Sequence, residues 1–202
     1  MRGRPPKATS SLGARLSLVC LSLTLSASAV VLGCRPSPRR IAQVLADSTL
    51  TVQTFDAEGN PLGQGTAFFI APDTVLTNMH VMKWAKTLNV TSPSRGLSFD
   101  IGSVVGVNFD RDLCVLRTTS KEGRPLRFAK KGTLAVGDKV YVSGNPKGLQ
   151  GTVSTGIVSA VREEGHLIQI DAPISPGSSG GPVVNEQGEV IGIATLSVVQ
   201  GQ

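Results

Sequence analysis

Histidine, cysteine and aromatic residues are scarce in this chain of 202 residues. It holds two histidines, three cysteines, one tryptophan and one tyrosine, and aromatics make up only 4%. A core must therefore be assembled from Val, Ile, Leu and Ala. The few histidines and cysteines lack the spacing of a zinc site, so no metal is expected. The glycine-rich spacing of a phosphate loop is absent as well. Gly144-Asn145-Pro146-Lys147-Gly148 reads instead as a tight turn, and no cofactor is expected.

The N-terminus holds no acidic residue before Cys34. Arg2, Arg4, Lys7 and Arg15 form a basic start, and Leu16 to Leu32 is a mostly apolar run ending in Val31-Leu32-Gly33-Cys34. A basic start, an apolar stretch and a small residue at the cut predict an export signal over residues 1–33. Cysteine directly after that small residue resembles a bacterial lipoprotein signal, which implies Cys34 as the lipidated lipid anchor. Leu32 departs from that pattern, which favours a smaller residue there. An uncleaved membrane anchor is the alternative, because the run is nearly long enough to span a bilayer. Residues 34–47, with Pro36 to Arg40 at their start, read as a tether.

The net charge of +6 largely belongs to the signal. Without residues 1–33 there remain sixteen basic and fourteen acidic residues, a balance of +2. That excludes an electrostatic case for nucleic-acid binding. The pairs Arg39-Arg40 and Lys130-Lys131 read as solvated. Cys20 leaves with the signal and Cys34 takes the lipid, so only Cys114 remains. It sits in an apolar strand as a small buried hydrophobe, and no intrachain disulfide is expected.

What the chain does have is glycine (23) and proline (12), which suit short strands joined by turns. The densest such punctuation is Pro176-Gly177-Ser178-Ser179-Gly180-Gly181-Pro182. Flanking glycines permit a tight turn and close approach by a substrate. Such a turn can expose a serine as a nucleophile. It can also aim the amides of Gly177 and Ser179 at one point, as an oxyanion hole. His80 follows the strand-like Thr74 to Met79 and falls at a strand end, beside a solvent-facing loop. Met82 to Ala85 reads as one helical turn. Asp112 precedes the apolar Leu113-Cys114-Val115-Leu116, where a partly buried carboxylate can hold an imidazole in one tautomer. Asp110 is the runner-up, more solvated. His166 lies in a charged turn and reads as exposed and without a catalytic role.

The order His80, Asp112, Ser179 is that of chymotrypsin-type enzymes and differs from the subtilisin and α/β-hydrolase orders. The chain resembles trypsin-like serine proteases of the HtrA/Deg type. Four segments carry the likeness, in order: Gly63 to Ile70, Leu76 to Val81, Asp112 to Leu116, and Gly156 to Ile193 with gaps. The resemblance implies His80 as general base, Asp112 as its orienting acid and Ser179, directly before the Gly-Gly pair, as nucleophile. It implies an oxyanion hole at Gly177, Ser178 and Ser179, with Ser178 between the two donor amides.

The fold expected is all-β, with two packed antiparallel barrels of the chymotrypsin kind over residues 48–119 and 120–202 and the site in the cleft between them. The second barrel is expected to be short, because the family continues past Val190 to Ile193 with a further strand and a helix. Pro173 stands six residues before Ser179, where a basic-specific enzyme places a carboxylate, so an apolar or small specificity pocket is expected. The function expected is a serine endopeptidase of the cell envelope, acting on unfolded or exposed protein segments. The alternative is a catalytically silent or partner-activated peptide-binding lipoprotein. Polypeptide substrates and the membrane, through the lipid, are the expected partners; a homo-oligomer is left open.

Overall fold

The computed structural model describes Met1 and residues 35–145, 151–162 and 167–195. The export segment, Cys34 and His166 lie outside the described residues. Helix α1 spans Pro38–Ser48. Seven strands follow: β1 Thr49–Phe55, β2 Pro61–Ala71, β3 Thr74–Asn78, β4 Thr87–Ser92, β5 Leu97–Phe99, β6 Ile101–Asn108 and β7 Leu113–Thr118. They form one antiparallel sheet in the order β5-β4-β1-β2-β3-β7-β6. The two ends of that order, β5 and β6, are separated only by Asp100. The sheet is therefore curled back on itself through one bent segment.

A second antiparallel sheet has the order β10-β9-β8-β11-β12. Its strands are β8 Lys139–Gly144, β9 Thr152–Arg162, β10 Leu167–Ile170, β11 Pro182–Val184 and β12 Val190–Ile193. The expected all-β architecture of two curled sheets is what the chain adopts, with five described strands in the second.

Successive residues on a strand face opposite sides of the sheet, and β2 uses both sides. Ala67 and Phe69 enter the core of the first sheet, with Leu50, Val52, Val75, Val90 and Leu116. Phe68 points the other way, into a cluster with Tyr141, Val184 and Val190 of the second sheet. This two-sided burial explains the unbroken apolar run Ala67 to Ile70. Phe68 and Phe69 are both fully buried, each contributing about 1.5–3 kcal/mol. Phe69 also meets Phe99 edge-on, ring centres 5.1 Å apart. Cys114 is buried in the first core, with no disulfide partner among the described residues.

One expectation is corrected. From Pro38 onward the segment read as a tether is helical. Proline near the first helical position and Ser37 as N-cap, whose hydroxyl accepts from the Arg40 amide at 3.3 Å, start the helix. Ile41 and Leu45, one turn apart, are buried in the cluster that joins the two sheets. Four-residue spacing puts both on one face, so the helix plugs the seam between the sheets. Arg39 and Arg40 lie on its exposed side. No described helix is long and apolar enough to cross a membrane.

Candidate active site

The β3–β7 pairing sets the first part of the site. Asn78 lies opposite Leu113, which brings the residues after β3 alongside Asp112. Asp112 has a positive φ of 52°, a conformation that Asp tolerates better than most residues. There it serves three consecutive residues. Its carbonyl accepts from the Met79 amide at 3.0 Å and from the Asn78 side chain at 2.9 Å. Its carboxylate accepts the His80 amide at 2.8 Å through Oδ1 and faces His80 Nδ1 at 2.5 Å through Oδ2. The Asp112 side chain is 28% exposed and that of His80 42%. The acid is thus half-buried behind a ring that reaches solvent. Asp110 is exposed, and no described ring contact involves it.

His80 opens a single 3-10 turn, His80–Met82, with Val81 buried beneath it. The helical turn expected over Met82 to Ala85 therefore starts two residues earlier. It stops before Trp84, whose φ is 66°.

Ser179 arrives from the second sheet, in the turn before β11. Ser178 and Ser179 are only 5% and 7% exposed. Three successive carbonyls of this turn are held. That of Gly177 accepts from the Thr66 hydroxyl at 2.7 Å, that of Ser178 from the Gly181 amide at 3.0 Å, and that of Ser179 from the Thr66 amide at 2.8 Å. The Ser178 amide donates to Ser175 at 2.9 Å, and the Gly180 amide to Ala194 at 2.9 Å. In a trans peptide N–H and C=O point opposite ways. Holding the Ser178 carbonyl on Gly181 therefore turns the Ser179 N–H to the other side.

Glycine is required at Gly180 and at Gly65, among others. Gly180 has φ +87°, and a Cβ there would sit 2.0 Å from the Thr66 carbonyl oxygen. At Gly65 a Cβ would meet Val81 Cγ1 at 2.5 Å and the Ser179 carbonyl oxygen at 3.2 Å. Gly65 is thus the thin spacer between the residue after His80 and Ser179 itself. That close approach brings the serine turn of one sheet to the histidine turn of the other.

Thr66 and Asn78 have a structural hand in the site that sequence alone does not assign them. Thr66, fully buried, grips the serine turn at two carbonyls, and Thr77 donates to the Thr66 carbonyl at 2.7 Å. Asn78, also fully buried, binds both Asp112 and, at 3.1 Å, the hydroxyl of Thr195 after β12. Their one sequence signal is polarity at strand positions that are otherwise apolar. Pro173, in the expected specificity region, is exposed.

Comparison with known proteins gives a consistent picture. A family profile described as trypsin-like peptidase domain matches residues 65–193. Protease Do-like 1, chloroplastic, of Arabidopsis thaliana is 37% identical over 155 residues, covering 70% of this chain and 35% of its own. A probable periplasmic serine endoprotease, DegP-like, of Chlamydia pneumoniae is 38% identical over 143 residues, 67% of this chain and 29% of its own. The solved serine endoprotease from Yersinia pestis superposes with a TM-score of 0.72 at 30% identity, over 83% of this chain and 60% of that one. The chain spans about a third of the length of these curated relatives.

Proposed function

This chain belongs to the trypsin-like serine peptidases of the HtrA/Deg type, and we propose that it is a serine endopeptidase cutting unfolded or exposed protein segments in the cell envelope. The observation that carries this reading is the double hold of Asp112 on His80, set across Gly65 from the Ser179 turn.

In this mechanism Asp112 accepts Nδ1–H and leaves Nε2 of His80 as the base. Nε2 takes the Ser179 hydroxyl proton as Oγ attacks the peptide carbonyl. The amides of Gly177 and Ser179 donate to the developing oxyanion. His80 then passes the proton to the leaving amine, and water, activated by the same ring, releases the acyl group from Ser179. Ser178 sets the turn between the two donors. An envelope location is supported by the periplasmic description of the Chlamydia relative and by the basic and apolar N-terminal segment. Attachment through a lipid on Cys34 belongs to the same proposal.

The test is a fluorophosphonate reaction of the full chain followed by intact mass, with Ser179→Ala beside it. One adduct, absent from the variant, is expected. A folded chain that takes no adduct would overturn the endopeptidase reading in favour of peptide binding without turnover.

A further inference from the structure

Trp84 breaks two rules at once. Its φ of 66° is a backbone conformation that bulky residues rarely adopt. The residue is also 76% exposed, although indole is a large, mostly apolar surface. The turn that holds it is well tied. The Lys83 amide donates to His80 at 3.2 Å, the Ala85 amide to Met82 at 3.2 Å and the Lys86 amide to Phe55 at 2.8 Å. Val81 and Met82 pack below, against the first core. The Lys83 ammonium lies 5.5 Å from the indole centre. A pinned turn thus holds a large ring out into water, in a conformation that suits glycine. The contact with Lys83 does not require positive φ, and strain that the surroundings enforce points to function.

Chemistry supplies the occupant. Because His80 hands its proton to the leaving amine, the polypeptide beyond the scissile bond departs on the histidine's side. Trp84 stands four residues after His80, two residues past the end of the 3-10 turn that His80 opens. We propose that Trp84 determines specificity by taking an aliphatic or aromatic substrate side chain on the leaving-amine side of the scissile bond. This rests on the endopeptidase reading and adds a substrate preference to it.

Trp84 is the only tryptophan of the chain, so its own emission is the reporter. The probe is a series of decapeptides free of Trp, with Leu, Phe, Ser or Asp at the second residue after the cleavage point. They are titrated into the full chain carrying Ser179→Ala, with binding followed in parallel by anisotropy of a terminally dye-labelled copy. The Leu and Phe peptides are expected to shift Trp84 emission to shorter wavelength and to bind about tenfold more tightly than the Asp peptide. In the active chain, Trp84→Gly and Trp84→Asn, both suited to positive φ, are compared on the Leu peptide and on a small ester ending at the scissile bond. The ratio of the two kcat/KM values is expected to fall about tenfold in each variant.

Bound peptide with unmoved emission, or an unchanged ratio in both variants, overturns the role of Trp84 alone. Absence of a fluorophosphonate adduct on the unsubstituted chain removes the endopeptidase reading, and this proposal with it.

Discussion

Asp112 holds His80 at two points: through Oδ1 to the backbone amide at 2.8 Å, and through Oδ2 to ring Nδ1 at 2.5 Å. One carboxylate therefore fixes both where the histidine starts and which way its ring turns. The positive φ of Asp112 lets its carbonyl bind Met79 and Asn78 at the same time.

Replacing Asp112 by Asn separates these tasks. The amide oxygen still accepts from the His80 backbone, so the fold is expected to stay. The amide NH₂ then donates to Nδ1 and favours the tautomer that cannot take the serine proton. The fluorophosphonate labelling rate is expected to fall about 10⁴-fold with little change in urea midpoint. A loss of less than tenfold would remove Asp112 from the mechanism.

Thr66→Val keeps the side-chain shape but deletes the hydroxyl that donates to the Gly177 carbonyl. A buried acceptor left without its donor costs about 1–3 kcal/mol. We expect a loss of stability in that range and slower labelling of Ser179, because the released carbonyl no longer fixes its peptide plane. Denaturant titration and labelling kinetics on the same sample check both effects.

Leu45→Ala opens a cavity beneath α1, at the cluster shared by both sheets. The expected loss is about 2–5 kcal/mol, with one unfolding transition, since residues of both sheets line the same space. Two separated transitions in urea would show that the helix does not couple the sheets.

Burial pushes the Cys114 thiol up from its ordinary value. The folded chain keeps a proton that the unfolded chain releases at lower pH. This contribution is therefore fully present below the unfolded thiol's range, about pH 8.5, and is lost as pH rises from there through the raised folded value. The urea midpoint is expected to drop more steeply between neutral and alkaline pH than in Cys114→Ala. Parallel pH profiles would show that the thiol stays out of the linkage.

Much of the framework is legible in the sequence. Strand patterns at 74–79 and 113–116, with a turn at the serine glycines, are local signals that each segment carries by itself. The same signals placed His80 and Asp112 beside strand ends, where they stand. Residues 38–47 read as a tether because their apolar stripe of Ile41, Val44 and Leu45 is short and interrupted by Arg39, Arg40, Gln43 and Asp47. Its burial depends on Phe68 and Tyr141, which come from different sheets. The residue type of Trp84 gives no signal for positive φ, and one bond beside it, from the Lys86 amide to Phe55, comes from a distant strand.

By itself the sequence determined which segments become strands and which side chains carry reactive groups, because hydrophobic alternation, glycine turns and side-chain chemistry act within a few residues. Tertiary structure alone decided which of those groups meet. The β3–β7 register sets Asp112 beside His80, the curl of the first sheet turns β2 to both cores, and Gly65 admits the Ser179 turn to the gap next to Val81. Those contacts join residues far apart in the chain, and their distances follow from strand register and packing rather than from local preference.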